Sequence, residues 1–162
     1  MSLGVNLQQL ERGVVSLKGE LAPADLELEG LDEVVRLEGV VNYELTAEKL
    51  EKSILIQGYL GTRLRCECVR CLKPFTRALE FRDWTCHLAL EGEDQAPVAN
   101  DCVDLTPSIR EDILLEFPQH PLCQPECGGL PGKSTGRVKE TGGSGQTSKA
   151  LSDWAELNKL KL

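Results

Sequence analysis

The stretch Cys66-Glu67-Cys68-Val69-Arg70-Cys71-Leu72-Lys73-Pro74-Phe75 puts three cysteines within six residues. It stands where one alternating run ends and the next begins. Upstream, residues 54–65 carry Ile54, Ile56, Tyr59 or Leu60, and Leu64 on an apolar side. Downstream, residues 75–90 continue the pattern with Phe75, Leu79, Phe81, Thr85, His87 and Ala89. An earlier run, residues 34–45, alternates through Val35, Leu37, Val41, Tyr43 and Leu45. Alternation with period two marks half-buried strands. Three such strands in succession predict an antiparallel meander. Gly39, Gly58 and Gly61 interrupt the runs and suggest bulges, so the sheet is expected to be curved. Thr46-Ala47-Glu48-Lys49 reads as a polar turn.

Around the meander the signals are shorter. Leu3, Val5, Leu7 and Leu10 suit a short edge strand before a turn at Gly13, and residues 14–21 a further strand stopped by Pro23. Residues 91–101 are acidic and loop-like. The period then changes: Ile109, Ile113, Leu114 and Phe117 recur at helical spacing, Asp104 or Thr106 offers a cap, and Pro107 suits a first turn. A helix is predicted over 106–116, ended by the residue before Pro118. Residues 128–150 turn to Gly, Ser, Thr and Lys and read as a flexible linker. Leu151, Trp154, Leu157 and Leu160 read as a short C-terminal helix over 151–162, docking on the domain. The expected architecture is α+β: one domain over 1–127, then linker and helix.

Only 4% of the chain is aromatic, so its core must rest on Leu, Val and Ile. No apolar run is long enough to span a membrane. Met1–Leu7 has neither a basic start nor a long apolar run, so no signal peptide is expected and a cytoplasmic location is. The formal net charge is −8. It is unevenly spread: residues 1–122 hold 12 Lys/Arg against 22 Asp/Glu, and residues 123–162 hold 6 against 4. Between residues 63 and 82, Arg63, Arg65, Arg70, Lys73, Arg77 and Arg82 face only Glu67 and Glu80. A locally basic segment in an acidic chain can steer an anionic partner.

Seven cysteines, an odd number with three crowded together, favour metal ligation or redox chemistry over disulfide stapling in a reducing compartment. Structural zinc takes four thiolates in a tetrahedron, commonly as two close pairs. Cys68 and Cys71, with two residues between them, supply one pair on the turn between the second and third meander strands. Cys123 and Cys127, with three between them, supply the other. The competing reading packs these thiols as small hydrophobes, but Glu67, Arg70, Lys73 and Glu126 are poor neighbours for that. Alternation puts Cys66 on the face opposite Glu67, so it reads as core rather than ligand, and Cys86 and Cys102 read as core or bystander residues. His120, and less readily His87, could replace a cysteine ligand. A redox C-x-x-C normally begins a helix, where the dipole lowers a thiol pKa; this one precedes Pro74 and a strand. Gly132-Lys133-Ser134-Thr135 lacks the upstream glycine, strand and helix of a phosphate loop. No Ser/His/Asp group or paired carboxylate stands out, the acids from Asp104 to Asp112 read as a solvated helix face, and no enzyme is predicted.

Four stretches resemble the YceD family of large ribosomal RNA subunit accumulation proteins. Cys68-Val69-Arg70-Cys71-Leu72-Lys73-Pro74-Phe75 is similar to its C-x-R-C-x-x-P-F signature. Val103-Asp104-Leu105, with Arg110-Glu111-Asp112-Ile113-Leu114-Leu115-Glu116-Phe117-Pro118, resembles its D-L … E … I-L-L … P helix. Pro121-Leu122-Cys123 through Cys127-Gly128-Gly129-Leu130, and the tail Asp153-Trp154-Ala155-Glu156-Leu157, follow in the same order. Many members carry a further C-x-x-C, where Pro131 and Ser134 stand here. The resemblance implies a non-enzymatic role in the synthesis, processing or stability of large-subunit ribosomal RNA. On that reading Arg63, Arg65, Arg70, Lys73 and Arg77 are expected to meet RNA phosphates or an assembly intermediate, with Lys133, Arg137 and Lys139 adding contacts. An acidic adaptor for a basic ribosomal protein and a thiol redox protein are the alternatives. Neither a membrane nor a small-molecule substrate is expected.

Overall fold

The computed structural model describes residues 2–130. The strands are β1 (Gly4–Asn6), β2 (Val15–Leu21), β3 (Val35–Leu37), β4 (Val41–Lys49), β5 (Ser53–Glu67), β6 (Pro74–Ala89), β7 (Val98–Ala99) and β8 (Cys102–Asp104). The helices are α1 (Leu7–Leu10) and α2 (Thr106–Leu115). Antiparallel sheet dominates, with few and short helices. The expected linker beyond residue 130 and the expected helix at 151–162 lie outside the described residues.

β4, β5 and β6 form the predicted meander, and β2 extends it beyond β4. β5 organises the whole. Its even-numbered side chains, Ile54, Ile56, Leu60 and Leu64, are buried, while Gln57, Arg63 and Arg65 face solvent. Fully burying each such aliphatic side chain contributes roughly 1.5–3 kcal/mol. Val5 of β1, Val103 of β8, Ile109 and Ile113 of α2, and Leu26 all join the same core.

Several expectations are corrected. The run over residues 34–45 is two strands rather than one bulged strand. Between the Leu37–Leu64 and Asn42–Gly61 pairs, residues 38–41 stand opposite only Thr62 and Arg63. Gly39 takes φ 87° there, and Thr62 Oγ1 donates to the Val40 carbonyl at 3.2 Å. Residues 46–49 are strand, not turn, because Ala47 is buried opposite Ile56 and the alternation simply continues. In β6, Arg82 and Asp83 together face Tyr59 alone, between the Gly58–Trp84 and Leu60–Phe81 pairs. This bulge reverses which side chains point inward. Trp84, Cys86 and Leu88 join the core, and Thr85 and His87 are exposed.

Gly58 sits at that bulge for a steric reason. Its φ is 151°, and a Cβ there would run into the Glu44 carbonyl oxygen. The second, three-stranded sheet runs β1-β8-β7 and joins residues about a hundred positions apart, such as Val5 and Val103. It holds the start of α2. Thr106 N–H donates to Asp104 Oδ1, and Leu3 N–H donates to Thr106 Oγ1, each at 2.9 Å. Trp84 Nε1 donates to Asp112 Oδ2 at 2.6 Å, so Asp112 anchors α2 to β6 instead of lying on a solvated face.

Candidate metal centre and basic surface

The turn from β5 to β6 is closed by its own backbone. Leu72 N–H donates to the Cys68 carbonyl at 2.8 Å, and Cys68 N–H to the Lys73 carbonyl at 2.9 Å. Leu72 adopts φ 59°, a left-handed geometry that is uncommon for a bulky residue and tightens the turn. The segment after α2, kept irregular by Pro118, Pro121 and Pro125, returns to this turn. Val69 N–H donates to the Pro121 carbonyl at 3.0 Å, and Cys127 N–H donates to the Gln124 carbonyl at 3.1 Å. Arg70 Nη1 donates to the Cys127 carbonyl at 3.1 Å.

These bonds bring four thiols together. The Sγ atoms of Cys68, Cys71, Cys123 and Cys127 all lie within 4.8 Å of one another. Cys68 and Cys127 are 3.7 Å apart, as are Cys71 and Cys123. Tetrahedral zinc with sulfur ligands at 2.3 Å requires sulfur separations of about 3.8 Å. Cys68, Cys71 and Cys127 are buried, Cys123 is half-buried, and Phe75 and Leu122 pack against them. The donor set and spacing can therefore hold a metal ion. His120 and His87 are exposed and do not belong to the cluster. Cys66 is buried in the main core, where desolvation pushes its thiol pKa up. Cys86, half-buried on β6, is pushed up for the same reason.

The thiols of the cluster do not titrate alike. The Cys71 backbone N–H, then those of Cys123 and Arg70, hold the Cys68 thiol down to about 6. Burial, reinforced by the neighbouring thiols, pushes Cys123 up to about 12. The fold thus favours a first thiolate through N–H···S bonds and resists a further one until positive charge enters.

The basic residues do not form one patch. Arg63 and Arg65 lie exposed on the outer face of β5, and Arg36 on β3 stands directly opposite Arg65. Arg36 joins them from outside the basic segment of residues 63–82, set outward by alternation between Val35 and Leu37. Arg77 pairs with Leu64 and so belongs to the other side of the sheet. Arg70 is engaged with Cys127, while Lys73 is exposed at the end of the turn. Glu33, Glu38 and Glu67 line the same hollow as Arg36 and Arg65, and Glu38 Oε2 accepts from Thr76 Oγ1 at 3.0 Å. No helix among the described residues is long and apolar enough to cross a membrane.

A curled antiparallel sheet whose central turn carries half of a tetrathiol cluster defines a β-rich protein built around a cysteine knuckle. Residues 56–161 match the family described as "Large ribosomal RNA subunit accumulation protein YceD", and the chain belongs to that family. Uncharacterized proteins of Mycobacterium tuberculosis and Mycobacterium bovis are 27% identical over 113 residues, covering 65% of this chain and 53% of theirs. A Mycobacterium leprae relative is 27% identical over 98 residues, 56% of this chain and 45% of its own. The chain thus spans about half the length of the curated relatives it matches. No solved structure matches it at a significant level.

Proposed function

We propose that this chain is a non-enzymatic, cytoplasmic factor that supports the synthesis, processing or stability of large-subunit ribosomal RNA, and that its knuckle holds a structural zinc ion. The observation that carries the reading is the cluster of Cys68, Cys71, Cys123 and Cys127, whose closest sulfur separations of 3.7 Å suit tetrahedral zinc. Four protein thiolates leave no open coordination position, which is the mark of a structural rather than a catalytic zinc. Zinc would fasten the segment after α2 to the β5–β6 turn and fix the basic side chains beside it. Arg63 and Arg65 with Arg36, and Lys73 and Arg70 at the knuckle, then meet RNA phosphates, while Arg77, on the other side of the sheet, falls outside that surface. Such contacts position a protein on RNA without reading its sequence.

The test is binding of large-subunit rRNA fragments by the purified chain across a salt series. The reading expects affinity to fall steeply with salt and the slope to shrink in an Arg63→Glu, Arg65→Glu variant. No binding even at low salt, or an unchanged slope, defeats the RNA-surface part. The adaptor alternative draws on the excess of acids over residues 1–122; it predicts instead capture of a basic large-subunit protein. The redox alternative has less support. The short sulfur contacts cross from Cys68 to Cys127 and from Cys71 to Cys123, and no helix begins at the C-x-x-C.

A further inference from the structure

β6 is a strand of 16 residues, and only β5 pairs with it among the described residues. The one backbone hydrogen bond it makes outside that ladder among the described residues is at its end, where the Ala89 carbonyl accepts from Ala96 N–H at 2.9 Å. A free strand edge presents N–H and C=O groups on alternate residues, ready to pair with another extended chain. Beside the second half of β6 runs α2, tied to it through Trp84 and Asp112. Between them lies an open groove of about 420 Å³. Phe81, Trp84 and Leu115 give it apolar walls, and Asp83, Asp112 and Glu116 give it an acidic rim. Leu115 is 80% exposed, although it is a large aliphatic residue on a helix that buries its other apolar face. No Lys or Arg lines this groove.

We propose that the edge of β6 left unpaired among the described residues and this groove form a docking site for an extended basic segment of a partner protein, added to the sheet as a further strand. Main-chain pairing with β6 supplies sequence-tolerant affinity, and alternate side chains supply the selectivity. Apolar side chains of the segment cover Phe81 and Leu115. Its Lys or Arg side chains meet Asp83 and Glu116, while Asp112 adds charge from its place against Trp84. Three carboxylates make the same groove unfavourable for RNA phosphates and for a second copy of this acidic chain. The proposal rests on the adaptor reading and names its surface.

The probe is a fluorescein-labelled peptide of alternating lysine and valine, followed by anisotropy with the intact chain. Two controls accompany it: the same peptide with glutamate for lysine, and the basic peptide N-methylated at alternate residues, which keeps its charge but cannot pair as a strand. The basic peptide is expected to bind at least about tenfold more tightly than either control. Binding should slow amide exchange in β6, and Asp83→Lys with Glu116→Lys should weaken it by about tenfold. Both sites are exposed, so an unchanged unfolding midpoint confirms that the double variant folds. Equal binding by the N-methylated peptide, undiminished binding by the double variant, or protection of β2 in place of β6 overturns the proposal. Proteins extracted from large ribosomal subunits separate the two levels. Equal capture of basic proteins by parent and double variant defeats the groove and leaves the adaptor reading standing; no capture by either defeats both.

Discussion

Arg70 Nη1 donates to the carbonyl oxygen of Cys127 at 3.1 Å, across 57 positions of sequence. A side chain from the β5–β6 turn thereby holds the backbone of a residue that supplies a thiol to the cluster. Removing such a support commonly costs ten- to a hundredfold in metal affinity. Arg70→Ala should therefore weaken zinc retention against a chelator by roughly that factor. Arg70→Lys should recover only part of it, since an ammonium cannot reproduce the guanidinium geometry. Zinc retention equal to wild type in Arg70→Ala would show that the contact is idle.

Metal-free protein should lose stability on acidification. The Cys68 pKa of about 6 lies below its ordinary value of 9.0. Its contribution is complete above 9.0 and is lost as pH falls through about 6. Cys123 has the opposite sign: raised from 9.0 to about 12, it favours the fold below 9.0 and ceases to do so as pH rises toward 12. Urea midpoints measured with chelator present should therefore fall between pH 8 and pH 5. Zinc should flatten that dependence near neutrality and then be released in acid, because its ligands must be thiolates. A metal-free midpoint that rises on acidification would contradict the N–H···S account.

Gly58→Ala should destabilise the sheet more than an ordinary surface substitution. Its backbone lies at φ 151°, and the added methyl meets the Glu44 carbonyl of the neighbouring strand. The cost should be about 1–3 kcal/mol, visible as a lowered denaturant midpoint. Gly13, at φ 141° with open space around it, is the control for the backbone effect alone. Equal losses at both positions would mean that the close approach of β4 does not matter.

Asp112→Asn keeps the acceptor of the 2.6 Å bond from Trp84 Nε1 but removes its charge, so it should cost about 1 kcal/mol. Asp112→Leu removes the acceptor as well, leaving the indole N–H without its partner, and should cost about 1–3 kcal/mol. Thermal unfolding read by the near-ultraviolet signal of Trp84 orders the two variants. A Leu variant as stable as wild type would remove Asp112 as the anchor of α2.

Much of this organisation was legible in the sequence because it is local. The alternation around Ile54, Ile56 and Leu64, the helix begun at Thr106-Pro107, and the close spacing of Cys68 and Cys71 on a turn all follow from period and spacing. What escaped depends on strands far apart in the chain. The extra residue opposite Tyr59 reversed the facing of Trp84 through Leu88, and nothing in β6 alone announces it. The Val5–Val103 pairing and the Trp84–Asp112 bond are likewise invisible until the chain folds. Arg36 reaches Arg65 only because β3 and β4 share one edge of β5, a relation hidden by the break at Gly39. The two cysteine pairs could be grouped from their chemistry, but the contact from Arg70 to Cys127 arises only when the segment after α2 returns to the turn.

We propose that Cys68, Cys71, Cys123 and Cys127 close one zinc site. Metal analysis of the chain purified without chelator, as wild type and as Cys71→Ser, tests it most directly. The account predicts about one zinc per chain in wild type, as a four-thiolate site holds, with the metal lost in Cys71→Ser. Well-folded wild type without metal, or zinc kept at the same level in Cys71→Ser, would contradict it.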